Sequence, residues 1–345
     1  MPLIIKQFID FIFSFIFTFL LLKKLIPYLN KIIPALPNER GMHKYTKASS
    51  GGLSFILIYS ILVIYQGFYL PLFSLPMAII GLIDDKFNIS RILRIVFQIL
   101  TLLLIIAYLN NDANTFAYQL TQYGFLGYIF LLILGTSSIN FVNFMDGIDG
   151  LVCGSMIIIL LTLNGDVHYL LPLIGTLSGF LYFNWYPSKI FMGDIGSLFL
   201  GTFLVSLIYS SASGFQEIIK ILLLTSPLFL DATFCILRRL INKKNIFKSH
   251  KSHLYQRLVS NGFKHSTVSV IYILSIALLS LFYTYSTLKN LFFVSCIIFL
   301  LGVFLDKKYA LSFHKSWFAF NGLIMSILKI NDHNIFRKWK IILQI

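Results

Sequence analysis

Phe141-Val142-Asn143-Phe144-Met145-Asp146-Gly147-Ile148-Asp149-Gly150-Leu151 joins two long apolar runs, and its reading decides the fold. A helical turn brings Asn143, Asp146 and Asp149, spaced three apart, onto one face. The chain of 345 residues has only 13 acidic side chains, so a pair of carboxylates at the edge of an apolar run stands out. Carboxylates at a membrane boundary are costly and tend to be kept for a task. The Asp-Gly steps at 146–147 and 149–150 let the backbone turn tightly and approach a ligand closely.

Outward from that stretch, the composition is 57% hydrophobic and 12% charged. A soluble domain carries about twice that charge, so a multi-pass membrane protein is the class implied. The 35 Phe residues suit lipid-facing helix surfaces. A formal net charge of +15 points to positive-inside topology and anionic lipid, with no nucleic acid partner. Cys153, Cys235 and Cys296 lie in apolar runs without metal spacing and read as small buried residues. The first apolar run, roughly 8–26, is too long for a signal peptide and reads as a retained anchor.

Apolar runs that can cross a bilayer fall roughly at 7–27, 52–69, 71–84, 92–109, 124–142, 151–164, 167–184, 196–212, 217–237, 267–286 and 290–305. The expectation is an all-α, polytopic integral membrane protein of about 11 transmembrane helices, residues 1–305, with its active site on the cytoplasmic face. Charge supports the count. With alternate loops on opposite sides, only Lys6, Lys220 and Lys289 of the 28 Lys and Arg residues escape one side, which is therefore cytoplasmic. The N-terminus is then outside and the C-terminus inside. Residues 306–345 form a basic tail with Trp317 and Trp339, expected as an amphipathic helix on the inner leaflet; a twelfth span at 311–330 is interrupted by His314, Lys315 and Asn321.

Parity also sorts the unusual polar residues. Asp84-Asp85, Asn143/Asp146/Asp149, Asp194 and the His250–His253 segment fall on the cytoplasmic side, whereas the outer loops carry Asp112, Asp166 and Glu217 without pattern. Adjacent carboxylates in Gly81-Leu82-Ile83-Asp84-Asp85-Lys86 repel one another, which suits a divalent metal or a base beside a ligand. A solvated loop is the plain alternative. Phe191-Met192-Gly193-Asp194-Ile195-Gly196-Ser197 opens a span with backbone N–H groups and a hydroxyl, a phosphate cradle or an ordinary Asp cap. Asn184 and Trp185 just upstream are alternatively interfacial anchors. Ser249-His250-Lys251-Ser252-His253-Leu254-Tyr255-Gln256-Arg257-Leu258 offers cations for a diphosphate or simply reinforces topology. Asn38-Glu39-Arg40-Gly41-Met42-His43, leading to Ser50-Gly51-Gly52-Leu53, is a weaker loop-to-helix signal, and Asp231 is a further intramembrane carboxylate near Arg238 and Arg239.

GLIDD, NFVNFMDGIDGL, FMGDIGS and SHKSHLYQRL, in that order, resemble the polyprenyl-phosphate N-acetylhexosamine-1-phosphate transferase family, which includes phospho-N-acetylmuramoyl-pentapeptide transferase. The likeness extends from about residue 38 to 265. It implies transfer of a sugar-1-phosphate from a UDP-sugar, UDP-N-acetylglucosamine or a 6-deoxy relative, to undecaprenyl phosphate, with release of UMP. The setting implied is the bacterial inner membrane and the start of a lipid-linked surface polysaccharide. By the same resemblance, Asp84 is the base on the polyprenyl phosphate and Asp85 its neighbour near the metal. Asp194 is the principal ligand of Mg2+, for which Mn2+ can substitute. Asn143, Asp146 and Asp149 surround the nucleotide sugar, with Asp149, Asn184 and Phe191 at the uracil, and His250, His253 and Arg257 near the diphosphate. A homodimer is compatible with it. Two departures stand out: Lys47-Ala48-Ser49-Ser50 replaces a Thr-Pro and Arg loop, and the triple-histidine run of the muramoyl-pentapeptide enzyme is absent. An ion-coupled transporter is the competing class, since intramembrane carboxylates also mark ion pathways.

Overall fold

The structure, a computed structural model, describes residues 3–35, 46–164, 169–211, 214–245 and 251–313. Helix α1 (Leu3–Ile32) leads into a small antiparallel pair, β1 (Pro34–Ala35) and β2 (Lys47–Ala48). There follow α2 (Gly52–Gln66), a 3-10 turn at Leu70–Ser74, α3 (Leu75–Phe87), α4 (Arg91–Leu109) and the short α5 (Phe116–Thr121). Next come α6 (Phe125–Met145), α7 (Leu151–Leu163), α8 (Leu170–Asn184) and α9 (Gly193–Ser210). The chain continues through α10 (Gly214–Leu224), α11 (Ser226–Ile241), the short α12 (Leu254–Ser260), α13 (His265–Tyr285) and α14 (Leu288–Lys308).

Five of these helices (α4, α6, α9, α13, α14) are long and apolar enough to cross a membrane, and α10 with α11 makes a sixth, bent span. Helices α2, α7 and α8 are shorter and apolar. The architecture is that of an all-α membrane protein. The run at 217–237, expected as one helix, is instead two helices meeting at 75°. Pro227 in the first turn of α11 explains the break, because it lacks an N–H and its ring excludes a helical carbonyl four residues back. The expected amphipathic tail and any span at 311–330 reach beyond the described residues, as does the motif at 38–43.

Helix α9 is the axis. Almost all of it is buried, and it packs against α2, α3, α4, α5 and α6. Lipid tails are as apolar as Leu, so helices in a bilayer associate through close packing of small residues, not through expulsion of water. Gly81 of α3 shows how close: a Cβ there would lie 2.4 Å from the backbone oxygen of Asp194. That contact brings Asp84 and Asp85, one turn further along α3, beside the start of α9. Gly81→Val should therefore push α3 off α9 and lower stability by about 2 kcal/mol or more. Gly302→Val, where an added Cβ meets nothing within 4 Å, should leave the melting temperature of the detergent-purified protein nearly unchanged. Equal melting temperatures for both variants would contradict this packing.

Candidate active site

Asp84 and Asp85 occupy the last turn of α3, which ends at Asn88 in the left-handed conformation. Two residues on, Ser90 caps α4 by accepting the Leu93 N–H at 3.3 Å. That cap fixes the first turn of α4, from which Arg94 reaches back. Its Nη1 donates to Asp84 Oδ2 at 2.9 Å and to Asp194 Oδ2 at 3.0 Å, so one nitrogen bridges α3 and α9. Asp84 Oδ1 accepts the Ile89 N–H at 2.9 Å, and Asp194 Oδ1 accepts from Asn143 Nδ2 of α6 at 3.0 Å. Asn143 Nδ2 also donates to Ser197 Oγ at 2.8 Å.

Asp85 turns the other way. Its Oδ1 accepts the Asp194 N–H at 2.8 Å, and its Oδ2 accepts from Ser50 Oγ at 2.6 Å. The carboxylate of α3 thus supplies an acceptor for a backbone donor in the first turn of α9, where negative charge is favoured by the helix dipole. Gly193, at φ +76°, makes room: a Cβ there would stand 2.3 Å from Asp85 Oδ2. The outcome is that Asp84, Asp85, Asn143 and Asp194 meet at one end of the bundle.

Asp146 lies in the turn after α6, half-buried, and among the described residues its carboxylate accepts no hydrogen bond. Burial, then the charges of Asp194, Asp85 and Asp149, push its carboxyl up to about 8. Asp149 is the opposite case. It accepts from the Ser188 N–H at 3.1 Å and Ser188 Oγ at 2.8 Å, with Lys47 Nζ at 3.6 Å and His265 Nδ1 at 3.5 Å. Burial alone would raise its proton affinity, but His265, Lys47 and Ser188 outweigh it and hold the carboxyl below its usual range. Asn184 is fully occupied too, accepting the Gly150 N–H at 3.1 Å and donating to the Ile190 carbonyl at 2.9 Å. Phe191 presents its ring to Lys47 Nζ at 5.0 Å and accepts the Gly51 N–H at 2.9 Å through its carbonyl. Asp149 and Asn184 therefore shape the wall of the site through protein partners, while Phe191 and Asp146 stay partly open.

The histidine segment forms an arm over this mouth. Asp231 of α11 accepts the Leu254 N–H at 2.7 Å, the Tyr255 N–H at 3.2 Å and the Tyr272 hydroxyl at 2.7 Å, with His253 Nδ1 at 3.6 Å. Held this way, Tyr255 donates its hydroxyl to the Phe144 carbonyl at 2.9 Å, pressing the arm onto the Asn143–Asp146 turn. Arg257 is turned away from the acids: with Arg238 it pairs Asp306 of α14, and its Nη1 donates to the Leu311 carbonyl at 2.9 Å. His250 lies outside the described residues. A separate apolar groove of about 630 Å³ runs between α11, α13 and α14, lined by Leu230, Phe234, Tyr272, Ile298 and Phe304.

Sequence reasoning missed Arg94, which it used only as a topology charge, and Ser50, Ser188, His265 and Tyr255, whose partners lie far off in sequence. A signal for Arg94 did exist: a cation one turn inside an apolar helix, just after paired acids.

Paired acids, an amide and a guanidinium that meet at one end of a helical membrane bundle suit the transfer of a phosphoryl-linked group. The chain belongs to glycosyl transferase family 4, whose family model matches residues 68–212. It is 32% identical over 262 residues to a probable undecaprenyl-phosphate N-acetylglucosaminyl 1-phosphate transferase of Bacillus subtilis, covering 69% of this chain and 73% of that protein. It is 28% identical to a decaprenyl-phosphate N-acetylglucosaminephosphotransferase of Mycobacterium tuberculosis, covering 69% and 71%. With a phospho-N-acetylmuramoyl-pentapeptide-transferase of Kosmotoga olearia the identity is 34%, covering 48% and 61%.

The arm generates a pH prediction. Burial disfavours a charged His253, but the Asp231 carboxylate outweighs it and raises the imidazole to about 10. A raised imidazole contributes stability that is fully present below its unfolded value near 6.5 and lost as pH rises through about 10. Asp231→Asn should therefore cost about 3 kcal/mol near pH 6, the scale of a broken buried ion pair, and much less near pH 10. Thermal denaturation of both proteins across that range checks it; a pH-independent difference would contradict the ion pair.

Proposed function

We propose that the protein transfers N-acetylhexosamine-1-phosphate from a UDP-sugar, UDP-N-acetylglucosamine or a 6-deoxy relative, to undecaprenyl phosphate. The products are undecaprenyl-diphosphate-sugar and UMP, and the reaction starts a lipid-linked surface polysaccharide. The observation that carries this reading is the meeting of Asp84, Asn143 and Asp194, from three helices, with Arg94 bridging the two carboxylates and Asn143 holding Asp194. The names of the relatives support the same reaction.

The residues fit a magnesium ion. Mg2+ is usually held by one or two carboxylates together with substrate phosphates and water, not by a dedicated protein cage. Asp84, Asp85 and Asp194 bring carboxylates of that kind to one end of the bundle. Asp194 and Asp85 would hold the ion, whose contribution is to neutralise the diphosphate as UMP leaves. The phosphate oxygen of undecaprenyl phosphate attacks the sugar-bearing phosphorus; a new P–O bond forms, and the bond to the UMP oxygen breaks with its electron pair. A phosphate monoester is largely dianionic at neutral pH, its second pKa lying near 6, so the attack is direct and Asp84 orients the headgroup with no obligatory proton transfer. Asp146, half-buried and mostly protonated at neutral pH, faces the nucleotide sugar, with Phe191 as the surface for uracil and the His253 arm closing the mouth.

In this reading the acidic end of the bundle is cytoplasmic, eleven spans make up residues 1–305, and the basic tail at 306–345 lies on anionic lipid. The transporter alternative is weaker: the site carboxylates sit at helix ends, and Asp231, within the bent span, is filled by the arm's N–H groups and the Tyr272 hydroxyl.

Asp194→Asn and Asp84→Asn should each reduce magnesium-dependent UMP release by at least about 100-fold, the scale of losing one preorganised charge contact. UMP release by purified protein given undecaprenyl phosphate and UDP-N-acetylglucosamine is the measurement. Undiminished release from both variants would remove the assignment, and transport of substrate without a lipid-linked sugar would replace it.

A further inference from the structure

Among the described residues, Arg94 is the one cation that touches both Asp84 and Asp194, and the form of that contact matters. An arginine normally binds a carboxylate with two parallel N–H bonds, which is both strong and geometrically specific. Here a single nitrogen, Nη1, is shared between two carboxylates on different helices. Nη2 and Nε donate to no described residue. The contact is part-exposed on its Asp194 side: the side chains of Arg94, Asp84 and Asp194 are 19%, 13% and 35% exposed. An ion pair of that kind contributes little and is screened by salt. Arg94 stands, moreover, in the first turn of α4, where the helix dipole disfavours positive charge. Its own helix does not hold it there; the acids do.

The two acids, in contrast, are aimed independently of it. Asp84 is fixed through Oδ1 by the Ile89 N–H, and Asp194 through Oδ1 by Asn143. Each therefore leaves its Oδ2 pointed at one shared position, which the guanidinium occupies.

We infer that Arg94 is an exchangeable counter-ion: it bridges Asp84 and Asp194 while no metal is bound, and a divalent cation takes its place between them. The inference rests on the metal reading given above and keeps its ligand Asp194; it moves the second carboxylate from Asp85 to Asp84, because both oxygens of Asp85 already accept hydrogen bonds, from Ser50 and the Asp194 N–H. Displaced by one side-chain swing, the guanidinium stays at the mouth with its full fork of donors, and a substrate phosphate arriving with the metal is the anion within its reach. Metal entry and phosphate capture are then one event.

The test uses purified full-length protein in detergent without either substrate, and Mn2+ as the probe. Free Mn2+ is followed by electron paramagnetic resonance for wild type, Arg94→Gln, Arg94→Lys and Asp194→Asn, and each is melted with and without Mn2+. Removing the competing cation should tighten Mn2+ binding by about three- to fivefold in Arg94→Gln, the factor equivalent to one part-exposed ion pair. Arg94→Lys should fall between it and wild type. The melting temperature of Arg94→Gln should drop without metal and recover when Mn2+ is added. Unchanged or weaker Mn2+ binding in Arg94→Gln, with the same melting deficit at all Mn2+ concentrations, would make Arg94 a fixed brace and overturn the inference. If Arg94→Gln does not fold, Arg94→Lys decides: Mn2+ binding no tighter than wild type overturns the inference as well. Equal Mn2+ binding by wild type and Asp194→Asn is a different failure, because it removes the metal from Asp194 and with it the reading beneath.

Discussion

The rest of the structure depends on one electrostatic constraint: several carboxylates must share the end of an apolar bundle without driving its helices apart. Asp84 and Asp85 on α3 and Asp194 on α9 are brought together because Gly81 lets the two helices touch backbone to side of backbone. Like charges that close are tolerated only when each is answered. Arg94 answers two of them, and the backbone N–H of Asp194 with Ser50 answers the third. Each carboxylate has a partner, yet three acids face one guanidinium, and that surplus of negative charge is what a site needs if it is to accept a cation.

A second set of carboxylates does the opposite work. The side chains of Asp149, Asp231 and Asp306 are buried and take their partners from the protein. Asp149 ties the β2 segment and the Ser188 loop to the start of α13 through Lys47 and His265. Asp231 fixes the N-terminus of α12, and Asp306 collects Arg238 and Arg257 at the end of α14. Unpaired, each would be a heavy burden in a low-dielectric interior. Paired, they hold irregular loops against a helical scaffold so that the open acids, Asp84, Asp146 and Asp194, keep a fixed geometry.

Helix content and the membrane setting were legible because apolar runs and sparse charge are one-dimensional signals. So was the shared end of the bundle, since parity along the chain puts 84–85, 143–149 and 194 on one side. The break in the ninth apolar run was less visible, because its cause is a single proline, Pro227, inside an otherwise continuous hydrophobic stretch. Side-chain roles were least legible. Asp149 and Arg257 carry charges that suit a ligand, but each is matched by a partner more than 39 residues away in sequence: His265 in one case, Asp306 in the other. Arg94 looked like a topology charge because only the fold places α4's first turn between α3 and α9. Spacing along a helix reveals which face a residue shares; it does not reveal which distant charge has already claimed it.

The most direct test of the central claim is pulsed magnetic resonance on protein carrying one bound Mn2+ and UDP-N-acetylglucosamine. If Asp194 holds a cation that also grips the diphosphate, the Mn2+ signal will show the phosphorus coupling of a directly bound phosphate, and Asp194→Asn will abolish it. A phosphorus coupling that survives Asp194→Asn unchanged, or bound Mn2+ with no phosphorus beside it, would contradict the account.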